Sequence, residues 1–283
     1  MKKRRSNKPR WQRLGLQESS LRAEIESIEK RKAKIGRYAD NVGPGERGRS
    51  SDWGRQRDLL AYYEQLQTYH LEFPGPFDKP DQLVRTMSQL AVEYFFGDWH
   101  DTVWHESGRK LSRDQCRKKL DWIDEFRLGM MAALLARRAE DQSQLARYPD
   151  TDLPTDDGGW ERTKEDNQFF IILARFIRDG DLSDCKRLIT ALNKSRKRRP
   201  RLLLHTLLAI VDGKEETACQ QLGKYMRLFA SGELDLDTRV VTSLEGSILW
   251  NLADISGLAL SELDEPSMDL IMTHESLNLN AVL

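Results

Sequence analysis

Residues 178–188 read RDGDLSDCKRL, and residues 211–222 read VDGKEETACQQL. In each stretch Asp-Gly follows an apolar run, and a cysteine after a few polar residues opens a new apolar series. Glycine takes the left-handed conformation that ends a helix, and acidic side chains suit the first turn of the next one, where unpaired N–H groups carry partial positive charge. Aligning Asp179-Gly180 with Asp212-Gly213 gives an offset of 33 residues, and aligning Cys185 with Cys219 gives 34. Upstream, Ile171, Ala174 and Ile177 fall on Leu204, Leu207 and Ile210. Downstream, Cys185, Leu188 and Leu192 fall on Cys219, Leu222 and Met226. Each unit is an apolar helix, a glycine stop and an amphipathic helix, about the length of a two-helix repeat.

The expected fold is therefore all-α: stacked antiparallel helical hairpins, either tetratricopeptide-like (TPR-like) or an irregular α-bundle. No window sustains apolar–polar alternation with β-branched enrichment, so no substantial sheet is expected. Both cysteines of the pair fall on apolar faces, where they read as small interior hydrophobes. Helices are expected near 182–195, 200–212, 214–231 and 237–256, preceded by the nearly apolar NQFFIILARFIRDG.

Working outward, composition divides the rest of the chain. A basic flexible tail (1–16) precedes a short amphipathic helix (17–40), where Leu21, Ile25, Ile28 and Ile35 keep helical spacing and Gly36 offers a stop. That stripe docks on the body or on a second copy, which leaves the oligomeric state open. A flexible linker rich in Gly, Ser and charge (41–57) leads to an N-terminal helical lobe (58–148). Within it, SRDQCRKKLDWIDEFRLGMMAALLARRAEDQSQLARY is the longest helical signal. An acidic loop (149–160) separates this lobe from a C-terminal helical-hairpin lobe (161–257), and a C-terminal tail (258–283) follows.

Charge is balanced overall, at 45 basic and 45 acidic residues, but not evenly distributed. Residues 1–13 carry seven basic side chains and no acid, whereas residues 233–283 carry ten acids against the single Arg239. Such asymmetry marks a basic arm and an acidic partner face, for which Glu262, Asp264 and Glu265 are the candidate contacts. The run KSRKRRPR supplies the other candidates, with Lys194, Arg196, Lys197, Arg198, Arg199 and Arg201 as phosphate contacts to nucleic acid. Its alternative reading is a solvated connection whose basic residues suit the C-terminal end of one helix, with Pro200 starting the next.

Three scattered cysteines, with no Cys-x-x-Cys, suit a reducing compartment. No run of 18 apolar residues predicts a membrane span, and the default location is the cytoplasm. In DWHDTVWHES, the residues His100, Asp101, His105 and Glu106 lie close together, but no recognised metal-site spacing is met. The neighbouring Trp99, Val103 and Trp104 read as a helix packing on its aromatic face, so no metal is expected. His205, within LLLHTLLAI, reads as a core histidine. No phosphate-binding loop, dinucleotide fingerprint, nucleophile elbow or kinase signature occurs, so the expectation is no enzyme, no catalytic residue and no cofactor.

LARFIRDGDLSDCKRLITAL, LLAIVDGKEETACQQLGKYM and the late LWNLADISGLAL share a pattern of apolar helix, Gly-containing break and second helix. Over about residues 58–260 this pattern resembles the mostly helical bacterial toxin-immunity proteins of the immunity 49 family. The resemblance implies a cytoplasmic, non-enzymatic protein that binds and neutralises a cognate toxin, and it carries over no site residues. The acidic C-terminal third would then face a basic toxin. A nucleic-acid-associated helical scaffold, using the tail and residues 194–201, is the alternative.

Overall fold

The protein is described by a computed structural model at residues 8–40, 47–97, 123–149, 164–231, 241–260 and 263–279. Among these residues every regular element is a helix and none is a strand, so the fold is all-α. The N-terminal elements are α1 (Arg10–Arg13), α2 (Glu18–Asp40), α3 (Arg47–His70), α4 (Pro80–Phe96), α5 (Ile123–Leu135) and α6 (Ala139–Leu145). After these come α7 (Lys164–Asp179), a short 3-10 turn (Ser183–Cys185), α8 (Lys186–Asn193), α9 (Arg198–Val211) and α10 (Glu215–Ala230). The last two are α11 (Leu244–Ile255) and α12 (Glu265–Met268).

The two Asp-Gly breaks are helix stops. Gly180 and Gly213 have φ of 67° and 68°, and their N–H groups return to the carbonyls of Phe176 and Ile210. A β-carbon is disfavoured at that φ. The breaks fold α7 onto α8 and α9 onto α10, and α9 packs on both α7 and α8. Cys185 and Cys219 are thiols outside any disulfide, and both are buried in the interior of this stack.

The stack does not end in a third copy. Instead α11 lies against α5, α9 and α10, and it buries nearly every residue from Leu244 to Ala253. Helix α5 in turn packs on α3, α4, α6 and α11. The segments expected as two lobes therefore share one apolar core, running from Leu59 and Phe126 through Phe169 and Leu207 to Ile248 and Met272. Helices α4 and α5 approach so closely at Gly129 that a β-carbon there would overlap the Ala91 methyl. This contact needs a residue without a side chain.

Several boundaries depart from expectation for physical reasons. The long helical signal is broken at Arg137, which adopts φ of 50° while Arg138 N–H bonds the Ala133 carbonyl. No Gly or Pro announces that stop; burial of Leu134, Leu135 and Leu145 on both sides of the bend favours it. Helix α2 runs through Gly36 to Asp40, and α3 starts at Arg47, so residues 47–57 of the expected linker are helical. The apolar stripe of α2 docks on α3: Ile28 is fully buried, and Arg31 meets Glu64 at 2.9 Å. Cys116 and residues 98–122, 150–163 and 280–283 lie outside the described residues.

The segments expected as tails also take part in the body. Leu260, Ile271, Met272, Leu277 and Leu279 are buried. Ser243 N–H bonds the Leu270 carbonyl, and Asn251 Nδ2 donates to the Met272 carbonyl at 2.8 Å. At the other end, residues 8–16 lie against the end of α3 through a Trp11 N–H bond to Leu71 O.

Candidate functional site

Two charged constellations stand out, one internal and one open. The internal one begins at the start of α11, where Ser243 accepts the Gly246 N–H and places Glu245 in the first turn. Glu245 Oε1 receives Arg127 Nη2 from α5 and Arg199 Nη2 from α9, both at 2.6 Å. Tyr225 of α10 donates its hydroxyl to Oε2 at 3.1 Å. Glu245 is 1% exposed, and the side chains of Arg127 and Arg199 are 9% and 12% exposed. Burial alone would push the Glu245 carboxyl up, but the two guanidiniums more than offset this and hold it well below the usual carboxylate range. Burial pushes the Tyr225 hydroxyl up, so it donates and does not ionise. The network ties α5, α9, α10 and α11 together.

This network redefines the basic run. Arg199, expected as a nucleic-acid contact, is sunk against Glu245, because the start of α9 abuts the start of α11. Lys197 pairs with Glu165 at 3.3 Å, and Arg201 donates to the Ser195 carbonyl. Lys194, Arg196 and Arg198 remain exposed. His205 is not a core residue: it lies half-buried on the α8–α9 seam, 2.9 Å from Asn193 Oδ1.

The open constellation is a groove of about 1600 Å³. It is walled by residues 8–13, the end of α3, α10, the end of α11 and the segment around α12. Its apolar lining includes Trp250, Leu258, Leu260, Leu263 and Met268. Among the described residues its carboxylates are Glu72, Asp254, Asp264, Glu265, Asp269 and Glu275, against the basic Lys8, Arg10, Arg13 and Arg227. Two of the expected acidic-face residues therefore belong to it. Asp264 is exposed, caps α12 by accepting the Ser267 N–H at 2.8 Å, and lies 3.9 Å from Arg227. Glu265 is exposed and lies 3.8 Å from Arg13. Glu262 is outside the described residues, as are His100, Asp101, His105 and Glu106.

The chemistry at one end of the groove centres on Asp269, whose side chain is only 6% exposed. Its carboxylate accepts Arg13 Nε at 2.8 Å and Arg13 Nη2 at 2.5 Å, a two-pronged guanidinium contact, and Arg10 Nε at 3.2 Å. Arg10 also donates to the His70 carbonyl, and its backbone N–H reaches Glu72 Oε2 at 3.0 Å. Glu72 itself has φ of 60°, an unfavoured backbone for a residue with a β-carbon. His70 Nε2 faces the Asp269 carbonyl oxygen at 2.8 Å; that oxygen can only accept, so Nε2 carries the proton. Nδ1 then accepts, facing Arg10 Nη1 at 3.4 Å and Ser276 Oγ at 3.0 Å. Burial, followed by the Arg10 charge, pushes the His70 imidazole down to about 3, so it stays neutral at pH 7.

The chain matches no family model, no curated protein and no solved structure. Among the described residues, no three His, Cys, Asp or Glu side chains group as a metal site, and no helix is long and apolar enough to cross a membrane. Sequence reasoning found the acidic residues beside α12 but missed Arg10, Arg13, His70 and Asp269. The three-residue spacing of Arg10 and Arg13 was the only local signal, since it places both on one face of a helical turn.

Proposed function

We propose that this chain is a non-enzymatic protein-binding module, with the groove as its working surface. In this reading it acts by holding another protein, as an immunity protein holds the toxin it neutralises. One observation carries it: a groove of about 1600 Å³ whose lining mixes an apolar strip with ten charged side chains among the described residues. Pockets for small molecules usually hold about 300–1,000 Å³ and are mainly apolar, whereas a polypeptide segment needs this greater length and a polar rim. Seven of these ten pair with one another, Arg10 with Glu72 and Asp269, Arg13 with Asp269 and Glu265, and Arg227 with Asp264, which gives the lining a mixed-charge character. The resemblance carried by the LARFIRDG and LLAIVDGK hairpins supplies the toxin-neutralising form of the reading.

The test is co-expression with a toxin-domain protein encoded beside this gene. Protection of the cells, together with co-purification that Leu263→Glu and Trp250→Ala abolish in a folded chain, is the expected result. Cells that die despite full-length expression overturn the neutralising reading. Protection that survives both substitutions overturns the groove as the working surface.

A further inference from the structure

Lys8, Arg10 and Arg13 line the groove, and the segment 8–16 that carries them is held to the body mainly by polar contacts. No side chain of α1 is buried. The segment is held by the Trp11–Leu71 backbone bond, an edge-on contact of Trp11 with Phe73 at 5.7 Å, Leu14 at the edge of the core, and two guanidiniums that converge on Asp269 and also reach the His70 carbonyl and Glu265. Segments with few buried apolar contacts open at the lowest free energy in a fold. Their docking sites do not vanish when they open. Here a buried carboxylate would face the groove without its cations, a state that favours any replacement guanidinium.

We propose that the Asp269 end of the groove recognises an arginine-bearing segment of a protein partner, and that residues 8–16 are its built-in competitor. This rests on reading the groove as a protein-docking surface. The arm displays the chemistry of the ligand: two arginines one helical turn apart straddle an aromatic residue. One arginine forks onto Asp269 beside Glu265, the other spans Asp269 and Glu72, and Trp11 meets Phe73. The acid excess of the lining favours the same cationic class. Being tethered, the arm competes at an effective concentration of about the millimolar range, so a partner must add contacts along the Trp250–Leu263 strip to displace it.

The test uses the nine-residue peptide KPRWQRLGL, which is residues 8–16, fluorescently labelled and titrated onto full-length protein. Arg10→Ala with Arg13→Ala releases the tethered arm, and Arg10→Gln with Arg13→Gln serves as the second variant should the first fold poorly. The released chain is expected to bind the peptide saturably, and the wild-type chain about 10–100-fold more weakly, because its site is already occupied. Adding Asp269→Asn to the released chain should weaken binding at least about tenfold, the effect of losing a charge-assisted fork. Equal binding to wild-type and released chains overturns the proposal, as does binding indifferent to Asp269→Asn or no binding to either released variant. Its failure is separable from that of the neutralising reading. Peptide bound at Asp269 by a chain that neutralises no toxin supports this proposal, whereas toxin protection that ignores Asp269→Asn overturns it.

Discussion

Replacing Glu245 with Gln removes one negative charge from between two buried guanidiniums while keeping the side chain's size and shape. Arg127 and Arg199 would then face each other at side-chain exposures of 9% and 12%, with Asp124 and Asp166 at 3.0 and 3.9 Å from the respective guanidiniums as ion partners among the described residues. Breaking a buried pair in this way costs about 3–5 kcal/mol, a large share of a typical total of about 5–15 kcal/mol. For a chain of this size that lowers the melting temperature by roughly 6–20 °C. Arg199→Met should cost less, because it leaves Arg127 and Glu245 as a neutral pair. Arg127→Met with Glu245→Leu and Arg199→Met should be close to neutral, since an apolar replacement avoids the desolvation that charges suffer. The pH dependence has a fixed sign. The Glu245 carboxyl is held below its ordinary 4.5 in the folded protein, so its contribution is complete above that pH and is lost as pH falls further. Calorimetry of the four proteins at pH 7 and at pH 4 checks both points. A melting temperature for Glu245→Gln equal to or above that of Arg199→Met would refute the charge argument.

Gly129→Ala, ordinarily a gain of about 1 kcal/mol in a helix, should instead cost about 1–3 kcal/mol by overlap with Ala91, and Ala91→Gly should restore most of the loss in a urea titration. His70 is buried neutral with a pKa of about 3, so its contribution to stability is whole above its ordinary 6.5 and declines as pH falls from there. His70→Gln should flatten the urea-midpoint profile between pH 7 and 4.5, and parallel profiles for the two proteins would count against this. Charge reversal at Lys194 and Arg196 should leave the melting temperature within about 2 °C, while Arg199→Glu should prevent folding, as seen by circular dichroism.

The readable parts of the sequence were those whose cause is local. Gly180 and Gly213 end helices because a left-handed residue is cheap only without a β-carbon, and that rule acts within one turn. The stripe of Leu21, Ile25 and Ile28 follows from helical geometry alone. Arg137 also turns left-handed, but the cause is the packing of two apolar flanks against distant helices, which no window displays. Arg199 looked identical to Arg196 and Arg198 within its run; only the arrival of α11, some 46 residues later, makes it interior. At the groove, acid enrichment pointed to Asp264 and Glu265. Asp269, set among the same acids, differs from them only by its burial.

The Arg10–Asp269 link spans 259 residues of sequence. During synthesis, at about 5–20 residues per second, residues 8–16 emerge roughly 13–50 s before the carboxylate that receives them. The arm's contacts with His70, Leu71, Glu72 and Phe73 can form once the end of α3 has emerged, but its two arginines meet the Asp269 carboxylate only when the body is nearly complete. Closure of the Asp269 end thus becomes a late checkpoint of folding, and a chain truncated before residue 269 would lack the carboxylate on which Arg10 and Arg13 converge.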